Sequence, residues 1–219
     1  RPGGVILSEV VPDNQKTLRD EEGDYEDWIE LQNITDQDIQ LAGWHLTDDP
    51  TNPRPWTFPD ITLPARGFLV VFASGKDRRD PAKPLHTNFS LNADGEYLAL
   101  VRPDGVTATT EFAPTFPAQR TDVSYGTLLP TPAGVGTIGF LVTPTPSTRN
   151  GAGLKVPLKD TVVFSRAPGP FSTPFTLTLS GAAAGQDIRY VLVAPSATGT
   201  AAPDPTATST KYTGPLTID

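Results

Sequence analysis

The chain of 219 residues contains no cysteine and no methionine, and it has only two histidines. The absence of cysteine excludes disulfide bonds, iron–sulfur clusters and zinc sites with thiolate ligands. Long apolar runs are absent too. The longest covers residues 68–73, whereas a membrane-spanning helix needs about 20 apolar residues, so we predict no membrane insertion. Basic residues are outnumbered, and the net charge of −8 repels phosphate backbones, so we predict no nucleic-acid partner.

Turn-forming residues, in contrast, are plentiful: 19 glycines and 24 prolines separate short apolar runs along the whole chain. Both residue types interrupt helices and mark turns. The apolar runs, among them 5–11, 28–32, 67–73 and 96–101, predict about nine strands before residue 143, at the spacing of roughly ten residues that is typical of a β-sandwich. The fold class predicted is therefore all-β.

A change of composition divides the chain. Thr143-Pro144-Thr145-Pro146 ends the regular strand rhythm, and a glycine-rich stretch follows it. We predict a first domain over residues 1–142, a linker over 143–158 and a second β region over 159–219. Because the second region offers only about four strands, fewer than the roughly seven of a closed sandwich, we expect it to be a smaller or incomplete one.

The first domain resembles the bacterial lamin tail domain family over about residues 4–150. The matching segments, in order, include 23–33 (GDYEDWIELQN), 41–49 (LAGWHLTDD), 67–74 (GFLVVFAS), 85–89 (LHTNF) and 94–100 (DGEYLAL). The resemblance implies an immunoglobulin-like β-sandwich. It also implies a non-catalytic role in tethering or adhesion, within a larger exported bacterial protein.

The second region is similar to the chitobiase C-terminal type of β-sandwich. The likeness rests on segments 169–171 (GPF), 175–179 (FTLTL), 188–190 (IRY) and 212–215 (YTGP). It departs from that family at 191–196 (VLVAPS), where the family has a polar turn after the tyrosine. The resemblance implies a partial domain of the same immunoglobulin-like class.

An acidic loop is the strongest candidate for a binding site. Seven carboxylates fall within residues 20–30, and Gly23 permits a tight turn between them. Calcium takes six to eight oxygen ligands, which clustered carboxylates supply. The sequence therefore predicts weak Ca²⁺ binding, and no other cofactor, although a solvated acidic loop is the alternative. The predicted ligands are Asp20, Glu22, Asp24, Glu26 and Asp27.

The aromatic residues raise the question of carbohydrate binding, because exposed rings stack on sugars. Trp28, Trp44 and Trp56 each lie within or beside an apolar strand, so we expect them to pack in the core. Tyr25 lies in the acidic loop and is the aromatic residue predicted to be exposed and to contact a ligand.

Catalysis is not predicted. His86 with a carboxylate as general base and Ser74 or Ser90 as nucleophile would make a hydrolase, but no serine lies in a Gly-x-Ser-x-Gly elbow. Glu30 with Asp24 or with Asp48 could be proposed as a glycosidase pair, but the loop offers no apolar pocket to raise the pKa of either carboxyl.

The function predicted is that of a non-catalytic interaction or tethering module, secreted or at the bacterial cell surface. Its expected partners are other protein chains or cell-surface components, and unpaired strand edges could join it to neighbouring chains. The alternative is a carbohydrate-binding module attached to an extracellular enzyme.

Overall fold

A computed structural model describes residues 4–128, 136–153, 162–182, 186–193, 203, 205–206 and 208–219. Within these ranges the regular structure is entirely β, which confirms the predicted fold class, and no helix there could cross a membrane. In the first part of the chain the strands are β1 Val5–Val11, β2 Trp28–Asn33, β3 Ile39–Gln40, β4 His45–Thr47, β5 Trp56–Thr57, β6 Thr62–Leu63, β7 Phe68–Phe72, β8 Leu85–His86, β9 Leu98–Val101, β10 Ala108–Phe112, β11 Ser124–Thr127 and β12 Ile138–Leu141.

Two main sheets make up this first part. The larger is six-stranded in the order β12-β11-β1-β2-β7-β8, and it is antiparallel except for the β7–β8 pair. The smaller is four-stranded in the order β10-β9-β4-β5, and β3 pairs with β6 beside them. The sequence missed β6 and β8, because two-residue strands are too short to show alternation.

The core lies on one face of the larger sheet. Ile29 and Leu31 of β2 both point into it, as their alternation with polar neighbours predicts. Trp44 and Trp56 are buried in the same cluster, and the Trp56 ring meets Phe58 edge-to-face at 4.7 Å between ring centroids. Large aromatic side chains thus supply much of the buried apolar surface that holds the sandwich together.

The opposite face of the larger sheet is also covered. There Trp28, Val11 and Phe72 form a second apolar cluster, against which Leu18 packs from the loop between β1 and β2. Asn14 fixes both ends of that loop: its Nδ2 donates to the carbonyls of Leu18 at 2.7 Å and Glu26 at 2.8 Å. A long polar loop can therefore lie flat on the sheet without leaving its backbone groups unpaired.

The segment from 143 to 153, which we call the strap, hydrogen-bonds to the same face. Thr145 and Ser147 donate their amides to Glu9 and Glu30, and Asn150 Nδ2 donates to the carbonyl of Ser8. The chain divides into compact units at 157/158, so the described part of the predicted linker belongs to the first unit. Its composition suggests a linker, but these buried acceptors order its backbone.

The described residues of the second unit form three two-stranded ladders. Its strands are β13 Val163–Phe164, β14 Phe175–Leu177, β15 Leu179–Ser180, β16 Arg189–Tyr190, β17 Thr210–Lys211 and β18 Leu216–Ile218. Among its described residues Leu179 is the one buried hydrophobic side chain, while apolar residues such as Phe164, at 57% exposure, face solvent. The likeness of this unit to the chitobiase C-terminal domain stays a prediction.

Candidate functional site

The acidic loop lies against the polar loop that follows β7. Lys76 from that second loop places its Nζ among four carboxylates of the first. Its contacts are 2.5 Å to Asp20, 2.8 Å to Glu22, 3.3 Å to Asp24 and 3.0 Å to Glu26. Four of the five predicted calcium ligands therefore do converge, and they converge on an ammonium group.

The electrostatics of this cluster favour the charged forms of Asp20, Glu22 and Lys76. The Asp20 side chain is fully buried, and burial opposes its ionisation. Hydrogen bonds from Lys76 and from two backbone amides of the loop outweigh burial and lower the pKa of Asp20 to about 2. Burial also opposes protonation of Lys76, but its hydrogen bonds to the carboxylates raise its pKa. The result is a charge-assisted ion-pair network that closes the acidic loop.

Asp27 lies outside this cluster. Its carboxylate accepts a hydrogen bond from the Asn14 amide at 3.4 Å instead. Burial raises the pKa of Asp27 to about 6, and the nearby charges of Asp13 and Glu26 act in the same direction. The Asp27 carboxylate thus links the two ends of the loop between β1 and β2 and takes no part in the contacts with Lys76.

Calcium binding stays a prediction, with a physical condition attached. Asp20, Glu22 and Asp24 can each bring one oxygen within 4.8 Å of the others, the spacing that a cation needs. Lys76 contacts all three of these residues. A calcium ion could coordinate them only if the ammonium group moved away.

A second polar chain joins the same two loops. Glu21 Oε2 contacts His86 Nε2 at 3.0 Å, and His86 Nδ1 contacts Ser74 Oγ at 2.8 Å. The hydrogen bond with His86 lowers the pKa of Glu21 to about 2, and Arg78 also binds the Glu21 carboxylate. The order serine–histidine–carboxylate is that of a hydrolase triad.

The surroundings of this chain suit a structural role. His86 is fully buried and stacks on Phe72 with 5.2 Å between ring centroids. Both of its ring nitrogens have partners, and Glu21 is held in an ion pair with Arg78 at the rim. The arrangement ties β8 to the acidic loop.

The remaining predicted residues are dispersed. Trp28, Trp44 and Trp56 are buried, as predicted, whereas Tyr25 is 38% exposed and has the Arg19 guanidinium 4.1 Å from its ring centroid. In the ladder between β1 and β2, Glu30 lies opposite Glu9. Asp24 and Asp48, the two residues considered as its glycosidase partners, both lie outside the strands. His45 is buried and its Nδ1 contacts Thr57.

The sequence could have indicated the pairing of the two loops. Lys76, Arg78, Arg79 and Lys83 form a basic segment whose charge is opposite to that of the acidic loop. The signal was the complementary charge of the loop that precedes β2 and the loop that follows β7, since β2 and β7 are antiparallel neighbours in one sheet. The Glu9–Glu30 pair carried no such signal, because each glutamate stands among the alternating residues of a strand.

Comparison with known proteins concerns the first unit. The family model of the Lamin Tail Domain matches residues 1–113. No curated protein matches the chain. The matched region ends before β11 and β12, which nevertheless belong to the same six-stranded sheet. Lamin tail domains are immunoglobulin-like and non-catalytic, and they suggest a protein-interaction module. With the sandwich described above, these findings show that the chain belongs to the lamin tail domain family.

Proposed function

We propose that the chain is a tethering module, secreted or displayed at a bacterial cell surface, that binds other protein chains. The first unit supplies a sandwich in which the acidic loop and the loop after β7 pair their opposite charges with each other. Lys76 contacts four carboxylates of the acidic loop, and the buried His86 has Ser74 and Glu21 as partners of its two ring nitrogens. Such a unit suits a spacer rather than a reaction centre.

Exposed apolar surface on the second unit carries the proposal. Phe164, Phe171 and Phe175 line an open cavity of about 230 Å³ together with Leu177. The Arg166 guanidinium lies 4.1 Å from the centre of the Phe175 ring at the same place. Aromatic residues and arginine beside a pocket are the composition of interface hot spots. Exposed apolar patches of this kind mark protein-interaction sites in soluble proteins.

A second copy of the chain is the partner to be tested first. We expect the purified chain to self-associate reversibly, as measured by sedimentation velocity over a wide range of concentrations. Replacing Phe164 by Glu should weaken that association by at least about tenfold, because it puts a charge in the apolar surface. The control is Val106→Glu, which alters a residue of the first unit that is 83% exposed. A chain that stays monomeric throughout, or equal effects of both substitutions, would refute the proposal.

The carbohydrate-binding alternative has less support. A sugar platform needs exposed rings, and the three tryptophans are buried. Tyr25 remains the one candidate in the acidic loop, with Arg19 over one face of its ring. We therefore favour the protein-binding function.

A further inference from the structure

Two buried glutamates lie side by side under the strap. Glu9 of β1 and Glu30 of β2 are directly opposite each other in the antiparallel ladder, and both are 0% exposed. The neighbouring pair, Val10 and Ile29, points into the core. Because side chains alternate along a strand, the glutamates point to the other face of the sheet.

The strap covers this pair and takes its main anchors from it. The Thr145 amide lies 3.0 and 3.1 Å from the two carboxylate oxygens of Glu9, and its hydroxyl lies 3.1 Å from one of them. The Ser147 amide donates to Glu30 Oε2, and Ser147 has a φ of 60°. A serine in this left-handed region costs energy, which its contact with the carboxylate offsets.

Among the described residues, the groups that act on the pair are neutral apart from the pair itself. The polar groups around it are hydroxyls and amides of Ser8, Ser124, Thr145 and Ser147. The strap's single cation, Arg149, is exposed and is not among the groups that shift the pKa of either glutamate. Glu30 Oε1 is buried without a hydrogen-bond partner in the described part of the chain. Burying an oxygen without a hydrogen bond costs far less free energy in a neutral carboxyl group than in a charged carboxylate.

We propose that the strap is a proton-dependent latch, which stays closed while the Glu9–Glu30 pair holds a proton and opens when alkaline solution removes it. In the closed state the pair holds a proton out of water, and the strap's amides bind the two carboxyl groups. Two adjacent carboxylates without a cation repel each other, and opening the strap lets water solvate both.

The pH range follows from the pKa values. Burial raises the pKa of Glu30 to about 8, and the charge of Glu9 adds to it; burial raises the pKa of Glu9 as well. With the strap open, Glu30 returns to its ordinary pKa of 4.5. The closed state thus holds more protons between these two values. The equilibrium constant for closing the strap is highest below the lower of these two pKa values. Between the two pKa values it falls by up to about tenfold per pH unit.

Amide hydrogen exchange followed by NMR tests the latch on the whole chain. The quantity compared is the protection of the Thr145 and Ser147 amides, expressed relative to an unstructured peptide at the same pH. We expect this protection to fall between pH 5 and 8 by up to about tenfold per unit and then to level off. The amide of Leu31, in the central strand β2, should keep its protection throughout.

Glu30→Gln is the decisive variant, because glutamine keeps an acceptor for Ser147 and cannot ionise. It should remove most of the fall in protection, whereas the exposed Glu111→Gln should leave the fall unchanged. Protection that does not vary with pH, or a fall as steep in Glu30→Gln, would overturn the latch. A parallel loss of protection at the Leu31 amide would also overturn the latch, since it would show that the whole first unit unfolds. If Glu30→Gln does not fold, Glu9→Gln serves with the same outcomes.

Discussion

At the scale of single residues, Lys76 decides the character of the acidic loop. Seven carboxylates in residues 20–30 predict a site that repels itself and attracts a metal ion. One ammonium group, 20% exposed, contacts four of them and turns the loop into a closed ion-pair network. The choice between metal site and ion pair therefore depends on a residue more than fifty positions away in the chain.

Replacing Lys76 by Met tests this role. Methionine keeps the apolar stem but leaves the fully buried Asp20 carboxylate without its cation. We expect the free energy of unfolding to fall by about 2–4 kcal/mol, measured by urea denaturation at pH 7. Since the pKa of Asp20 is lowered to about 2, stability from this contact is present above its ordinary pKa of 3.8 and is lost as the pH falls towards 2. The difference between the variant and the natural chain should shrink accordingly.

Lys83→Met is the matched control, because the Lys83 side chain is 70% exposed and its ammonium group lies as far as 3.9 Å from the carboxylate of its partner Asp80. It should change stability by less than about 1 kcal/mol. Calcium adds a second measurement: millimolar Ca²⁺ should raise the Tm of Lys76→Met more than that of the natural chain, because the carboxylates are then free to coordinate it. Equal stability of the two lysine variants would contradict the role assigned to Lys76.

At the scale of elements, two polar segments lie on one face of the larger sheet. The loop between β1 and β2 packs Leu18 against Trp28, and the strap binds the Glu9–Glu30 pair. Neither segment is regular structure, yet both satisfy their backbones through side chains. The outer face of β1 and β2 is therefore buried, and both strands are buried along their whole length.

Asn14 is the residue on which the first of these segments depends. Besides its two donated bonds, its Oδ1 accepts from the Thr17 amide at 2.9 Å and from the Thr17 hydroxyl at 2.6 Å. Asn14→Ala should lower the free energy of unfolding by about 1–3 kcal/mol in urea denaturation, because the freed backbone groups stay buried.

The control for this prediction is Asn52→Ala, at an exposed turn position. It should leave the free energy of unfolding within about 0.5 kcal/mol of the natural value. A loss at Asn14 no larger than that at Asn52 would show that the loop does not need its side-chain bonds to stay on the sheet.

The elements themselves were largely predictable, and the covering segments were not. The run 5–11 coincides with β1, and the alternation around Ile29 gives the core face of β2. The strap was predicted to be a linker because its Thr-Pro repeat and its glycines are typical of one. Its order depends on buried acceptors that come from strands over a hundred residues earlier.

At the scale of the whole molecule, the two units differ in how much they bury. The first has a large core and a covered outer face, whereas the described residues of the second bury Leu179 and expose several apolar side chains. Burial of apolar surface is the main stabilising contribution to a fold. We therefore expect stability to reside in the first unit.

Truncation separates these contributions. A chain ending at 157 should unfold cooperatively with nearly the Tm of the full chain, measured by circular dichroism. A chain ending at 142, the end of the predicted first domain, lacks the strap and should be less stable at pH 5, where the glutamate pair is protonated. The difference between the two should narrow towards pH 9 as the latch opens. Equal Tm values at pH 5 would show that the strap contributes nothing to the first unit.

The sequence by itself determined that this protein is all-β, where most strands lie, and which residues of β2 face the core. These properties follow from turn residues and alternation, which act over a few neighbouring positions. Only the tertiary structure decided that His86 would meet Glu21, 65 positions earlier, that Lys76 would enter the acidic loop, and that Glu9 would lie beside Glu30. The physical reason is that strand order and register bring distant residues together, and one step of register would turn each glutamate to the other face.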